Sequence, residues 1–325
     1  MIDVEKIILE SRPVSWLTHK SKSLVLPGFD GAPLYDVIVF FLKETAKESL
    51  VERAAAISFN FLLAIPPFFI FLFTLVPFIP LQNVEPTLYD LAQTITPNYS
   101  SYIIVRDMIH DFLYTQRNTL LSFAFILSFY YSSNGVMGML RSFDKLLPGF
   151  HQRTWWEMRL TALKLTLFLV VLLLATVVLI IMQGTLLRTV LQSIGIDDAF
   201  SQFLLQVVRW TLIVLLFFAI ISFIYRFGPA VRKKWKFISA GSTFATIAMI
   251  VVTLGFSYWV NNFARYNQIY GSIGTILVLM LVVYFNSFIL LIGFELNTSI
   301  STLREIAAER EKEESQESPE LQGLS

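Results

Sequence analysis

The chain has 325 residues, of which 55% are hydrophobic, 30 are Phe and none is Cys. This composition, with a mean hydropathy of +0.63, argues against a soluble globular protein, and the lack of Cys excludes disulfides and thiol chemistry. The formal net charge of +1 is uninformative, because basic loops and an acidic C-terminal segment cancel each other.

The first 50 residues are predicted to form a cytoplasmic lead. Within it, the segment Leu34–Glu48 places Leu34, Ile38 and Phe41 on one helical face. The pattern favours a helix that lies on the inner membrane surface. It fits equally well a short amphipathic helix packed on the membrane domain.

Six long apolar stretches dominate the rest of the chain and predict an all-α fold with six transmembrane helices. Each meets or approaches the ~20 apolar residues that a helix needs to cross ~30 Å of hydrocarbon. We therefore expect residues 51–303 to form a six-helix membrane domain. The stretches are Ala54–Ile79, Leu120–Met137, Leu160–Met182, Val207–Ile224, Phe237–Val260 and Gly271–Ser299.

The positive charges predict the orientation of these spans. Twenty of the 25 Lys and Arg residues lie before span 1, around the start of span 3, between spans 4 and 5, or after span 6. Because Lys and Arg near span ends resist translocation, both termini are expected in the cytoplasm. The opposite side holds only Arg106, Arg117, Arg188, Arg209 and Arg265.

Two segments outside the spans have patterns of their own. Residues 81–119 form the longest outer loop, and their apolar spacing predicts a helical hairpin over the outer face. The pattern leaves open whether this hairpin gates anything or only caps the bundle. Residues 304–325 are rich in Glu and predict an acidic cytoplasmic tail that begins as a charged helix and fades into disorder.

Polar residues inside the spans mark a candidate substrate path, because polar groups in a bilayer are costly unless they find partners. Two consecutive prolines in span 1 remove two backbone donors and free carbonyls, and transporters place substrates at broken helices of this kind. The alternatives are a simple packing kink and asparagines that hydrogen-bond between helices. The path residues are Asn60, Pro66, Pro67, Asn134 and Asn286.

A carboxylate near the end of the last span predicts an ion pair. Glu295 lies ~36 Å along the helix from Gly271, which places it near the inner interface. We expect it to pair structurally with Arg53, or with another cation at that level such as Arg141 or Arg226. No acidic residue lies at mid-depth, which weakens a proton-driven carrier built on a buried carboxylate.

Enzymatic functions find little support in the sequence. There is no Gly-x-x-x-x-Gly-Lys-Ser/Thr phosphate loop, and His19, His110 and His151 are isolated from one another. No cofactor is therefore expected, and with no Cys a metal site is not expected either. The basic cluster 232–236 lies directly at the membrane, which favours anionic headgroups over nucleic acid as its partner.

Several motifs in the chain resemble those of the YihY/virulence factor BrkB family. Arg53–Phe59 reads RAAAISF and leads into the first span, and Tyr225–Pro229 reads YRFGP before a basic cluster. Tyr270–Gly274 reads YGSIG, and Gly293–Asn297 reads GFELN. Each motif is weak alone, but their order and spacing over about Leu34–Ile300 are specific. Pro67 beside Pro66 departs from the usual pattern of the first span.

The resemblance implies a protein of the bacterial inner membrane. It links the chain to envelope biology, serum resistance and the export of lipids or lipopolysaccharide precursors, without an established reaction. The older family label of ribonuclease BN belongs to a soluble zinc nuclease, so a membrane ribonuclease is disfavoured.

Our first functional hypothesis is therefore a transporter or flippase-like protein for a lipid or other amphiphile. The second is a non-transporting scaffold that recruits envelope proteins through its outer loop or acidic tail. Membrane lipids are the expected partners under both hypotheses. Small residues at helical spacing also permit close contacts between helices, either within one chain or between two copies of it.

Overall fold

The computed structural model describes most of the chain as helix. In that part the expectation of an all-α fold is confirmed, with one isolated antiparallel bridge between Phe150 and Val231 and no strand. The described residues are 21, 24–25, 28–29, 31–47, 49–75, 84–96, 99–114, 121–145, 147, 149–193, 198–262 and 272–322. They form the helices α1 (Leu34–Lys47), α2 (Leu50–Leu75), α3 (Val84–Ile95), α4 (Tyr99–Tyr114), α5 (Leu121–Phe143), α6 (Trp155–Ser193), α7 (Asp198–Phe227), α8 (Ala240–Asn262) and α9 (Ser272–Gln322).

Some of the sequence predictions fall outside the described residues. These are the first 20 residues of the lead, Glu48 of the amphipathic segment, the end of span 1 at 76–79, residues 81–83, 97–98 and 115–119 of the outer loop, the start of span 2 at Leu120, the start of span 6 at Gly271, and the last three residues of the tail. The tail up to Gln322 is the continuation of α9.

Five of the six predicted spans correspond to described helices that are long and apolar enough to cross a membrane. The matching segments are Leu50–Phe71, Trp155–Thr176, Gln206–Phe227, Ala240–Trp259 and Ile276–Arg310. The sixth helix, α5, has 23 residues, which is ample length at ~1.5 Å per residue. A run of Ser, Tyr and Asn in its middle lowers its hydropathy.

Six helices pack into a closed ring in which each makes its main contacts with two neighbours, while side chains of α5 and α7 also reach α9 across the ring. The order around the ring is α2, α5, α6, α7, α8, α9 and back to α2. Helix α1 packs on α9 through Val37, which is buried against Phe29 and Ile300, while Ile38 and Leu42 stay exposed. Helices α3 and α4 pack on each other around Ala92, as expected for the hairpin of residues 81–119, and α4 also contacts α2.

The consecutive prolines of the first span do not interrupt it. Helix α2 runs continuously from Leu50 to Leu75 with Pro66 and Pro67 inside it. The broken helix that the transporter hypothesis invoked is therefore not observed in this helix.

Burial divides three helices of the ring, α7, α8 and α9, into two halves, whereas α2, α5 and α6 keep buried residues such as Phe71, Ser128 and Thr176 towards their other ends. In what we call the basic half, α2, α6 and α8 begin, α5 and α7 end, and α9 passes through at Ser287–Thr302. Among the residues whose burial the structure describes, the buried ones of α7 lie between Ile221 and Tyr225, and those of α8 lie between Gly241 and Met249. We call the other half, with Gln206–Ile220, Ile250–Trp259 and Ile276–Asn286, the distal half.

Helix α9 shows the difference most clearly. From Ser287 to Thr302 most of its residues are buried, on every side of the helix. In the distal half, by contrast, Ile276 is 58% exposed and Phe285 is 40% exposed. At ~100° per residue these two side chains point to opposite sides of the helix. Between them Val278 is the one buried side chain.

Candidate functional site

A buried ion triad lies at the centre of the basic half. The Glu295 carboxylate is 1% exposed and accepts hydrogen bonds from Arg53 Nη1 at 2.7 Å and from Lys145 Nζ at 2.8 Å. Arg53 also donates to the carbonyl of Ser142. The triad therefore joins the start of α2, the end of α5 and the middle of α9. The structure thus brings the predicted partners Arg53 and Glu295 together and adds Lys145, which sequence reasoning missed.

Two glycines allow α8 and α9 to approach closely beside the triad. A Cβ on Gly241 would collide with the carbonyl of Gly293, and it would lie 2.7 Å from Asn297 Cγ. The Asn297 side chain accepts from Gly241 N at 2.8 Å and donates to Ser239 Oγ at 2.9 Å. Tyr225 Oη donates to the Leu290 carbonyl at 2.6 Å. The residues that carry the family resemblance in α7 and α9 thus meet in one packed region.

A second buried cation connects α5 with α6. Arg159 is 4% exposed, donates to Asn134 Oδ1 at 2.8 Å and to the Tyr130 carbonyl at 2.8 Å, and lies 3.6 Å from the Tyr130 ring centroid. Asn134, predicted as part of a substrate path, therefore holds an arginine in place. Its partner, Arg159, was counted in the sequence only as a topology signal.

The other predicted path residues are not brought together by any contact among the described residues. Asn60 donates to the Ala56 carbonyl at 2.7 Å and faces Gly138 on α5. Asn286 donates to the Val282 carbonyl at 2.8 Å, within its own helix. Pro66 is exposed and Pro67 half-buried in the unbroken α2. Both asparagines thus donate within their own helices, whereas the packing alternative expected hydrogen bonds between helices.

A cavity of about 310 Å³ lies between α2, α5, α6 and α7, close to the predicted path but lined by other residues. Its walls are almost entirely apolar, with Ser132 and Thr166 as the polar members. The lining residues are Phe61, Ala64, Ile65, Phe68, Ser132, Val136, Thr166, Leu169, Leu173 and Ile220.

A larger groove of about 490 Å³, which we call the α6–α7 groove, opens at the basic half. Its floor is apolar and its rim is basic. On α6 the lining residues recur at helical spacing, which the sequence displays, but their partners on α7 and in the loops come together only in the fold. The lining is His151, Arg153, Thr161, Lys164, Leu165, Phe168, Phe223, Phe227, Pro229, Val231 and Lys234.

A further cavity of about 280 Å³, the loop cavity, lies on the other side of the α7–α8 loop. Lys233, Lys234, Lys236 and Arg304 line it, together with the carboxylate of Glu305. Lys234 borders both the α6–α7 groove and the loop cavity. The basic cluster of the sequence thus forms part of two concave surfaces.

One carboxylate in the α5–α6 loop is held in an unfavourable environment. Burial raises the pKa of Asp144, and the nearby charges of Arg153 and His151 oppose that rise. Its Oδ1 is buried without a hydrogen-bond partner in the described part of the chain. Within the same residues, no three His, Cys, Asp or Glu side chains are grouped so as to hold a metal ion.

The fold and these sites define a helical membrane protein with several apolar helices. The sequence profile of the Virulence factor BrkB family matches residues 41–319. The chain therefore belongs to this family, as the motifs in its spans predicted.

Relatives agree with this assignment. The ribonuclease-like protein YfkH of Bacillus subtilis is 29% identical over 273 residues, which is 83% of this chain and 98% of YfkH. A UPF0761 membrane protein of Xanthomonas campestris is 32% identical over 87 residues, 27% of this chain and 20% of that protein. Another, from Pseudoalteromonas translucida, is 30% identical over 104 residues, 31% of this chain and 33% of its own length. No solved structure matches the chain.

Proposed function

We propose that this protein is a transporter or flippase-like protein of the bacterial inner membrane that moves a lipid or another amphiphile. One observation carries the proposal, namely that α7, α8 and α9 are closely packed in the basic half of the ring and mostly exposed or half-buried in the distal half. A carrier that alternates its access must have a state closed at one end and open at the other. The triad and the Gly241–Gly293 contact would form the closed end.

The proposal includes six membrane crossings with both termini in the cytoplasm. Helix α5 is the sixth crossing, since it packs between α2 and α6 and is long enough to span. Its Ser128, Ser132 and Ser133 hydroxyls donate to carbonyls of their own helix, which reduces the cost of polar groups at depth. The basic half then faces the cytoplasm, in line with the distribution of Lys and Arg.

Topology is directly testable because the chain contains no Cys. Single cysteines at exposed Lys236 and at exposed Asp107 would be treated in intact cells with a maleimide that does not cross the inner membrane. We expect labelling at position 107 and none at position 236 until the membrane is permeabilised. Labelling at both positions in intact cells would contradict the proposed orientation.

The transport activity is testable in liposomes that contain the purified full-length protein. A fluorescent phospholipid in the inner leaflet would become accessible to an external quencher if the protein moves it. We expect faster loss of fluorescence than in protein-free liposomes, and a slower loss after Gly241→Trp, which disrupts the closed half. Equal rates with and without protein, for phospholipid and lysophospholipid probes alike, would overturn the proposal.

A non-transporting scaffold is the second candidate, and the length of α9 favours it. The Glu305 carboxylate packs against Gly149, and α9 then continues to Gln322 with residues 307–310 exposed. A helical extension with an acidic sequence suits a protein partner of the envelope. Removal of the residues after Glu305 would then abolish the envelope phenotype while membrane insertion and lipid movement stay unchanged. Neither candidate function involves catalysis or nucleic acid.

A further inference from the structure

We propose that the α6–α7 groove binds a phospholipid with an anionic headgroup, drawn from the leaflet beside the basic half. The groove has a volume of about 490 Å³, within the roughly 300–1,000 Å³ of small-molecule sites. This inference deepens the proposed function, on which it rests for its biological meaning, by naming the class of amphiphile.

The floor of the groove fits an acyl chain. Leu165 and Phe168 of α6 lie beside Phe223 and Phe227 of α7 in this floor. The Phe168 and Phe223 rings stack with centroids 3.8 Å apart, and Phe223 stacks on Phe227 at 5.3 Å. The result is a continuous apolar surface formed by rigid side chains.

The rim fits a phosphate. Lys164 and Lys234 border the groove, and no carboxylate among the described residues pairs with either of them. Lys234 Nζ lies 4.6 Å from the Phe227 ring centroid, directly above the apolar floor. A phosphate between the two ammonium groups would form charge-assisted hydrogen bonds with both.

The remaining charges at the rim are already committed to the protein. Arg153 donates to the carbonyls of Gly228 at 2.6 Å and Pro229 at 2.7 Å, and it interacts with the charges of Asp144 and Glu157. It therefore shapes the rim, while the two lysines supply the charge that a ligand would neutralise. His151 is exposed at the edge of the groove.

The groove is also oriented correctly for a lipid. Phe168 and Phe223 lie within segments apolar enough to span the membrane, whereas Lys234 lies outside them and Lys164 lies one helical turn closer than Phe168 to the start of the α6 segment. The adjoining surface of α6 is apolar, because Leu160 is 52% exposed and Leu167 is 52% exposed. A lipid could therefore enter sideways from the bilayer, with its chain on the phenylalanines and its headgroup at the lysines. Basic pockets between membrane helices bind anionic headgroups in this way.

The experiment is native mass spectrometry of the delipidated full-length protein in detergent, with equal amounts of phosphatidylglycerol and phosphatidylcholine of identical acyl chains. We expect a clear preference for phosphatidylglycerol, which falls roughly tenfold in Lys164→Ala/Lys234→Ala. The matched control is Lys233→Ala/Lys236→Ala, which removes the same charge from the loop cavity alone. Equal loss of preference in both double variants, or no preference in the parent protein, would overturn the inference.

A second pair of variants keeps every charge. Thr161→Trp places a bulky side chain in the groove, whereas Leu160→Trp places it on the neighbouring exposed surface. We expect loss of phosphatidylglycerol adducts with the first variant only. A different result would overturn the lipid as occupant. If millimolar glycerol 3-phosphate displaced phosphatidylglycerol from the parent protein, and Thr161→Trp bound phosphatidylglycerol as well as the parent does, the groove would be a site for a soluble phosphate.

These outcomes are independent of transport. Specific binding without lipid movement in liposomes would leave the inference intact and overturn the proposed function. Lipid movement in liposomes with no preference in the binding assay would leave the proposed function intact and overturn the inference.

Discussion

The two halves of the helix ring use the same helices in different ways. In the basic half, charges and small residues bring the helices into close contact around Glu295, and α9 is buried on all sides. In the distal half the same α9 exposes Ile276 and Phe285 on opposite sides. The apolar character of the helices does not explain this difference, because both halves are apolar. Specific polar contacts and glycines, which are concentrated in the basic half, explain it.

The largest expected effect comes from removing the anion of the triad. Glu295→Gln removes the buried carboxylate that Arg53 and Lys145 share, and breaking a buried pair costs about 3–5 kcal/mol. We expect a large loss of folded yield and of thermal stability in detergent. Arg53→Gln should cost less, since Lys145 still pairs with Glu295.

The double variant distinguishes a coupled triad from independent contacts. Arg53→Gln/Glu295→Gln should be about as stable as Glu295→Gln alone, because contacting residues are not additive. Arg141→Gln is the control, since this exposed arginine lies at the same end of α5. Strictly additive losses would contradict the coupling.

A smaller effect is expected from adding one methyl group to α8 in each half. Gly241→Ala forces a Cβ against the carbonyl of Gly293 and should destabilise by about 1–3 kcal/mol through overpacking. Gly255→Ala, in the distal half of the same helix, meets nothing within 4 Å. It should stabilise slightly, by about 0.5–1 kcal/mol, because Ala favours the helix. Melting temperatures in detergent measure both, and equal losses would contradict the division into two halves.

The smallest expected effects on stability come from two asparagines of the predicted substrate path, Asn134 and Asn286, which differ in their hydrogen-bond partners. Asn134→Leu removes the acceptor of the buried Arg159 and should cost about 1–3 kcal/mol. Asn286→Leu removes only a bond within its own helix and should change stability by less than about 0.5 kcal/mol. The lipid assay then decides the role of Asn286, since slower lipid movement in a stable Asn286→Leu variant would support the path hypothesis. A marked loss of stability in Asn286→Leu would contradict its description as self-satisfied.

The sequence predicted the helices better than it predicted their partners. Hydropathy is a local property, so it predicted all six spans; five of them correspond to helices apolar enough to cross a membrane, and the polar run of α5 lowers the hydropathy of the sixth. Rise along α9 placed Glu295 at the level of Arg53, and the structure has their atoms 2.7 Å apart. Lys145 was missed because it follows the end of α5, where only tertiary packing decides which way a side chain points.

The α6–α7 groove shows a second limit of sequence reasoning. Thr161, Lys164, Leu165 and Phe168 share one helical face, which the sequence displays. The sequence does not show that this face meets Phe223 of α7 and the loop that carries Lys234. Both lysines therefore looked like topology signals alone, and their shared groove emerged only from the fold.

The continuity of α9 has a mechanical consequence. A helix has no internal hinge unless something interrupts its hydrogen bonds, and α9 is helical from Ser272 through its acidic end. From Glu295 to Glu314 it extends roughly 29 Å at 1.5 Å per residue. If the distal part of α9 tilts by roughly 10° about the triad, simple lever geometry on that rise moves Glu314 by roughly 5 Å. A movement of α9 in the distal half would thus be transmitted along this one helix to its acidic C-terminal sequence.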